Sequence, residues 1–342
     1  MVKPTTKDLA KAAGVSLATI DRVLNARVGV RQTTVVRVQK AIKEIGFVRD
    51  MAAANLARSK EYRLVFLLPD HDDEFIDLVQ EAIAEANKSM AHERTNVSII
   101  RAPSNNPHQI AHALDNLSNT DVDGVAIMAP ETPQVRDSIV RLHARGIAVV
   151  AFVSHQLTAE MAYYVGINNE AAGRTVGQLM ARFTGERQGT VLVLTETMQS
   201  RDSQERRLGF DSIMAKYAQR LIVSASMESY GDRVRTVNII NAALQSHPDV
   251  VGIYLMNHDI DESMQAIKAQ GALGQAVIIG HELTPQTRAQ LVDGTMDAVI
   301  TQDVGHLVRS SIRLLRAKAA RVETLASQER IRIEIILREN MP

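Results

Sequence analysis

The sequence predicts an α/β protein: a small helical module followed by a two-lobed body of parallel sheets flanked by helices. Three observations carry that prediction. Eleven short apolar runs recur between Arg63 and Ile336, with helical patterns between most of them. Buried apolar strands alternating with helices are what a parallel sheet covered on both faces requires. Up to Ile45 the helical period rules instead, with apolar residues three and four apart. Charge divides the same way. The chain of 342 residues has a formal net charge of +0, yet residues 1–60 hold 12 Lys/Arg against 4 Asp/Glu, and the remainder 27 against 35.

The first element begins at Thr5, an N-cap residue with Asp8 three positions on as the acidic half of a capping box. Leu9, Ala10 and Ala13 share one helical face, and Gly14 ends the helix because glycine enters a left-handed C-cap without steric cost. Val15 is the buried plug before the second helix, and Ser16 is its cap. Ile20, Val23 and Leu24 form that helix's apolar stripe, while Leu17, Ala18 and Arg22 face outward. A helix, a glycine turn and a second helix with an outward arginine is the helix-turn-helix pattern, whose second helix lies in the DNA major groove. Residues Gln32 to Ile45 form a third amphipathic helix, with Val35, Val38, Ile42 and Ile45 inward and Gly46 and Phe47 closing it. A short alanine-rich helix capped by Asp50 then runs to Arg58. A basic module on an acidic body is the footprint of a DNA-binding head.

The body's candidate strands are 63–68, 97–102, 124–128, 148–152, 163–167, 190–194, 221–226, 251–255, 276–280, 298–302 and 331–336. So many strands exceed one small sheet, so two lobes are expected, with a first crossing near Tyr163–Gly166. Ligands of open α/β sheets bind outside the carboxyl ends of strands. Those ends carry a dense set of hydrogen-bonding groups, suited to a polyhydroxylated or charged small molecule. Asp70 to Glu74 with His71 superficially resembles a metal site, but the alternation and central glycine of a calcium loop are missing, and no metal or cofactor is assigned. There is no GxSxG elbow, HExxH or P-loop, so a non-enzyme is expected. Cysteine is absent, no run approaches the ~20 apolar residues of a membrane span, and the polar N-terminus lacks an apolar signal segment. A cytoplasmic location is the expectation. The rival reading is a solute-binding or enzymatic α/β protein with a chance helical head.

The pattern D-L-A-x-x-A-G-V-S-x-x-T-I-x-R-V-L-N at Asp8 to Asn25, with the short helix after Asp50, resembles the lac-repressor (LacI/GalR) family of bacterial transcription regulators. The likeness covers the whole chain. It implies a head at 1–48, a hinge helix and linker at 49–61, and a periplasmic-binding-protein-like body at 62–342. The near lobe would comprise about 62–163 and 296–322, the far lobe about 164–295 and 323–342, with later crossings near Thr295 and Val322.

The resemblance also implies roles. Thr5, Ser16, Leu17, Ala18, Thr19, Asp21, Arg22, Asn25, Ala53 and Leu56 would contact DNA, with Leu56 as a minor-groove wedge. For the effector the resemblance implies Arg206, three residues before Gly209, as the grip, Asn168 as a polar contact and Phe75 as an aromatic packing on a sugar ring; Asp72, Glu131, His155, Asp259, Glu282 and Gln302 are candidates because they follow strands at the carboxyl ends of the sheets. The partners implied are double-stranded operator DNA, a sugar or polyol effector, and a second copy of the chain in a homodimer. A leucine-heptad tail beyond strand 331–336 is not expected. The ligand's sign, inducer or corepressor, stays open. Three departures stand out. Asp21 replaces a common serine and either reads cytosine or pairs with an arginine. Arg49 replaces a proline, and the loop 257–262 is longer and more acidic than usual.

Overall fold

The computed structural model describes residues 4–24, 29–45, 47, 61–71, 73–90, 93–156, 163–258, 260–322, 324 and 328–342. They fall into two units, Met1–Glu61 and Tyr62–Pro342. Asn25, Gly46, Arg49, the segment Asp50 to Arg58 with Ala53 and Leu56, and the loop residues Asp72 and Asp259 lie outside the described residues.

The described residues of the first unit form three helices: α1 (Thr6–Ala13), α2 (Leu17–Leu24) and α3 (Gln32–Ile45). The capping box forms as expected. Thr5 donates to Asp8 Oδ2 from its backbone N–H at 2.8 Å and its hydroxyl at 2.7 Å, and Asp8 N–H donates back to Thr5 Oγ1 at 3.3 Å. Those bonds hold the Asp8 carboxyl below its usual pKa. Gly14 closes α1 at φ 60°, the left-handed conformation that glycine enters most cheaply. Ser16 Oγ accepts from Thr19 N–H at 3.1 Å and caps α2. Leu9, Ala13, Ile20, Val38 and Phe47 are the core, and Val15 packs against it only half-buried. Leu17, Ala18, Asp21 and Arg22 are exposed on α2.

In the second unit all eleven expected strands form, arranged in two sheets. The first has the order β2-β1-β3-β4-β5: β1 (Tyr62–Pro69), β2 (Thr95–Ala102), β3 (Gly124–Ile127), β4 (Ala148–Phe152) and β5 (Tyr163–Val165). Helices α4 (Glu74–Ser89), α5 (Pro107–Asp115) and α6 (Pro133–Ala144) connect them. The second has the order β11-β10-β9-β8-β6-β7: β6 (Gly189–Thr195), β7 (Leu221–Glu228), β8 (Val250–Leu255), β9 (Val277–His281), β10 (Ala298–Thr301) and β11 (Glu334–Ile336). Its helices are α7 (Asn169–Phe183), α8 (Arg201–Met214), α9 (Arg233–Ser246), α10 (Ile260–Ala269) and α11 (Pro285–Val292). A last long helix, α12 (Val304–Ala319), returns to the first lobe and packs on α4 and β4.

Two expectations are corrected. The sheets are not wholly parallel: β11 runs antiparallel to β10, with Val299 opposite Ile336. The second crossing falls after Thr301, not near Thr295, because β10 pairs with β9 and so 298–301 belongs to the far lobe. The return to the near lobe begins at Asp303, whose side chain caps α12 by accepting from His306 N–H at 2.7 Å. Phe66 and Phe152 meet edge to face at 5.2 Å in the near-lobe core. In the far lobe α7 and α8 cross in near backbone contact. A Cβ on Gly173 would lie 1.9 Å from the Arg206 carbonyl oxygen, and one on Gly209 would lie 2.0 Å from that of Glu170. Only glycine at both positions lets the helices come this close. No helix among the described residues is long and apolar enough to cross a membrane.

Candidate functional site

The glycine crossing of α7 and α8 decides where Arg206 goes. Its side chain is driven inward, leaving the residue 7% exposed, and its Nε donates to Asn169 Oδ1 at 3.0 Å. Asn169, 2% exposed, is the first residue of α7. Its neighbour Asn168 caps that helix, accepting from Ala171 N–H at 2.8 Å, and stays exposed. Of the two asparagines, the one not singled out from the sequence is the one that meets the arginine. A guanidinium held by one amide still offers donors to a ligand's hydroxyls or carboxylate.

The strand ends of β9 and β10 supply the other groups. Glu282 follows β9 at φ 61°, a left-handed conformation uncommon for a residue with a side chain. Its backbone is fixed on both sides: its N–H donates to the Ile300 carbonyl at 2.8 Å, and Thr287 Oγ1 donates to its own carbonyl at 2.8 Å. The carboxylate is buried, accepting from Gln302 Nε2 at 2.9 Å and from Thr301 Oγ1 at 3.3 Å. Burial raises its pKa, against the pull of Arg206 and these hydrogen bonds. His281 lies beside it, buried, with Nε2 2.7 Å from the Tyr254 hydroxyl. Burial, then the charge of Arg206, pushes the imidazole pKa well down, so the ring is neutral. Burial raises the Tyr254 phenol in turn. Two buried atoms here have no hydrogen-bond partner, Gln302 Oε1 and His281 Nδ1. A buried polar atom without a partner costs about 1–3 kcal/mol, an arrangement stable folds keep where a ligand completes it.

The near lobe answers with different groups. Val153, just past β4, is a second left-handed residue at φ 61°, and β-branched. Gln156 is buried, its Nε2 donating to the Ala129 carbonyl at 2.7 Å while Oε1 has no partner. Glu131 lies 3.6 Å from Arg201 on the far lobe and 3.7 Å from Arg136 on its own. Asp73 caps α4, accepting from Phe75 N–H at 2.8 Å, and its Oδ2 lies 3.3 Å from His258 Nδ1 on the far lobe. Burial opposes its ionisation, but His258, His71 and the cap bond win and hold its pKa at about 2. Glu74 Oε2 accepts from Gln286 N–H at 3.0 Å, a third tie between the lobes.

The expected effector residues are therefore divided. Arg206, Glu282 and Gln302 come together in the far lobe. Glu131 faces the far lobe through an ion pair, and Phe75 is sunk in the apolar core, 3% exposed. His155 and Asn168 line a cavity of about 590 Å³ with Tyr164, Glu205 and residues 329–331 of the last crossing. Asn169, His281, Tyr254, Asp73 and His258 were not singled out from the sequence. Among the described residues no group of three or more His, Cys, Asp or Glu is placed to hold a metal ion.

Known proteins resemble both units. Residues 5–50 match the family described as "Bacterial regulatory proteins, lacI family", and residues 64–321 match "Periplasmic binding protein domain". The ribose import binding protein RbsB of Escherichia coli is 25% identical over 203 residues, 58% of this chain and 66% of that protein's length. The maltose regulon regulatory protein MalI of Escherichia coli is 23% identical over 258 residues, 75% of this chain and 73% of that protein. Among solved structures, a glucose-galactose binding protein from Geobacillus stearothermophilus superposes with a TM-score of 0.73 at 21% identity, covering 83% of this chain and 99% of that one. At that identity the likeness is one of fold.

Proposed function

We propose that this chain, which belongs to the lacI family of bacterial regulatory proteins and carries a periplasmic-binding-protein body, is a cytoplasmic, ligand-responsive transcription regulator and most simply a repressor. The head binds a palindromic operator as a homodimer, since a two-fold operator needs a two-fold protein. Arg22, exposed on α2, pairs bidentately with a guanine, and Leu17 and Ala18 meet apolar base edges such as thymine methyls. The body closes on a small polyhydroxylated metabolite, a sugar or polyol. The reading contains no catalytic step.

The observation that carries it is the far-lobe constellation: a buried Arg206 held by Asn169, beside Glu282, with Gln302 Oε1 and His281 Nδ1 lacking partners. Donors and acceptors set side by side suit vicinal hydroxyls, each of which gives and takes a hydrogen bond. Relatives named for ribose import, allose binding and the maltose regulon support the same ligand class.

The ligand touches both lobes, so it favours one lobe angle over the other, and a coupling of ~1–3 kcal/mol would change operator affinity roughly 5- to 150-fold. The test selects DNA from a random pool with the full chain. Affinity for the selected fragment is then measured by gel shift at two salt concentrations, with and without members of a sugar and polyol panel. A palindromic selected site, weaker at high salt and shifted by a panel member, is expected. Equal affinity for selected and random DNA would end the proposal, and the direction of the shift separates inducer from corepressor.

A further inference from the structure

His258 stands at the mouth of the cleft between two carboxylates from opposite lobes. Its Nδ1 lies 3.3 Å from Asp73 Oδ2, on the cap of near-lobe α4, and its Nε2 lies 3.4 Å from Glu196 Oε2, just past far-lobe β6. Asp73 is almost enclosed, its side chain 5% exposed, and is already fixed by the Phe75 N–H. It cannot swing away to follow a receding partner. Both imidazole nitrogens face carboxylate oxygens, so the arrangement is complete only when the ring carries both protons.

We propose that His258 is a proton-operated latch that ties the two lobes together, so that closure of the cleft on its effector takes up a proton. The proposal rests on the reading of the cleft as an effector site and adds a regulation to it. The contact with Glu196 lies within the far lobe and survives opening, whereas the contact with Asp73 spans the lobes and exists only when they are closed. Closure thus adds the Asp73 charge beside an imidazole whose side chain stays 42% exposed, so the attraction is gained at little cost in desolvation and the closed form binds the imidazolium proton more tightly than the open form.

Among the described residues, several charged groups bear on the ring. Burial alone lowers its pKa, while Asp73, then Glu196, and more remotely Asp202 raise it; Arg206 opposes them, and the net direction is upward from 6.5. His71 stacks loosely at 6.5 Å on the near-lobe side and shares Asp73 at 3.6 Å. Asp72 and Asp259, chain neighbours of the pair, lie outside the described residues. A raised histidine contributes its stabilisation fully below its open-state pKa and loses it as pH rises through the closed-state value. Acid thus favours closure across the neutral range, until Asp73 itself begins to protonate towards about pH 2.

The chain has no cysteine, so two introduced ones can be labelled cleanly. Val140 on α6 and Val234 on α9 are exposed, one on each lobe, and Val140→Cys with Val234→Cys in the full chain reports lobe separation by energy transfer. Without added sugar, the distance should change with pH between 6 and 9, following one proton. Both His258→Gln and Asp73→Asn, which keeps a cap acceptor, should flatten the profile. For any panel sugar that closes the lobes, affinity should fall about three- to tenfold from pH 6 to pH 9, a tenfold change being what one pKa unit of coupling gives. The same pH profile in His258→Gln as in the parent, or no pH dependence in either, overturns the latch. If the lobes respond to pH but to no sugar in the panel, the latch stands and the effector class proposed above fails. If sugars close the lobes at every pH alike, the effector reading stands and the latch fails.

Discussion

The near lobe meets the cleft with carboxylates that already have partners across it: Asp73 with His258, Glu131 with Arg201, Glu74 with the Gln286 N–H. The far lobe meets it with a buried arginine, a strained glutamate and two polar atoms that have no partner. Closing satisfies the near lobe's carboxylates, although its Gln156 Oε1 and His155 Nδ1 also lack partners, whereas the far lobe adds a buried guanidinium to its two unpartnered atoms. A ligand therefore has most to gain from the far lobe, and the near lobe serves chiefly to shut. Substitutions can sharpen or break that division, and they are expected to do so with unequal force.

The largest effect should come from the helix crossing that positions the arginine. Gly173→Ala puts a Cβ 1.9 Å from the Arg206 carbonyl, a rigid backbone atom, so α7 and α8 must separate. A loss of about 3 kcal/mol or more is expected, at the upper end of overpacking costs. The near-lobe control is Gly124→Ala, whose Cβ meets the movable Leu315 Cδ2 at 3.0 Å and the Ala148 carbonyl oxygen and Leu315 Cβ at 3.3 Å, a milder crowding that should cost about 1–2 kcal/mol. Urea midpoints of both variants measure the difference. Equal losses would mean that the far lobe is no more tightly specified than the near one.

Arg206→Ala comes next. It leaves Asn169 Oδ1 without its donor and Glu282 without its nearby cation. A loss of about 1.5–3 kcal/mol in stability is expected for a buried charged hydrogen bond. Every ligand-induced rise in melting temperature should also vanish, because the proposed grip is gone. A variant that still shows the full parent rise would move the site out of the far lobe.

Glu282→Gln should act in the opposite direction on stability. Burial raises the carboxyl's pKa above its ordinary 4.5. The folded state therefore holds that proton more tightly than the unfolded chain, and the associated stability is lost as pH rises through the raised value. Glutamine never ionises. It can still accept from Gln302, and its amide can donate to the Thr301 hydroxyl in place of the present bond. The variant should be more stable than the parent at pH 7–8, by on the order of 1 kcal/mol as is common where function holds a site off its optimum. The gap should close near pH 4. Thermal melts across that range decide it; a variant less stable at pH 8 would show that the carboxylate is structural rather than functional.

The sequence carried the architecture well because strand identity is written in apolar runs, and every expected strand formed. It carried the parallel direction of every pairing but one, that of β11 with β10. Nothing in 331–336 separates a parallel strand from the antiparallel β11, and the apolar run at 298–302 reads alike in either lobe. That Arg206 rather than Arg207 turns inward followed from the family resemblance, which marks the arginine three residues before Gly209. The site was not legible from the residues alone where neighbours compete for one job. Asn168 and Asn169 are chemically identical, and only the helix start decides that the first caps while the second turns inward. The left-handed backbone at Val153 and Glu282 is imposed by tertiary hydrogen bonds, so no local signal marks it. His258 between Asp73 and Glu196 joins residues far apart in the chain, beyond any short motif.

The smallest effect belongs to Glu131, the near-lobe residue that the sequence placed among the effector contacts. Its side chain is 14% exposed and lies between Arg136 at 3.7 Å and Arg201 at 3.6 Å, neither close enough for a short hydrogen bond. Arg201 is itself engaged more closely, its Nε donating to Glu205 at 2.7 Å. Ion pairs this long, shared between two partly exposed arginines, are worth about 0.2–1 kcal/mol. Glu131→Gln should therefore barely move the melting temperature, and salt should reduce even that difference by screening the arginine ends. The lobes should still close on a ligand, held by the remaining ties. If Glu131→Gln instead removed the ligand response as fully as Arg206→Ala, the carboxylate would be gripping the ligand directly. The near lobe would then share the binding role assigned here to its neighbour.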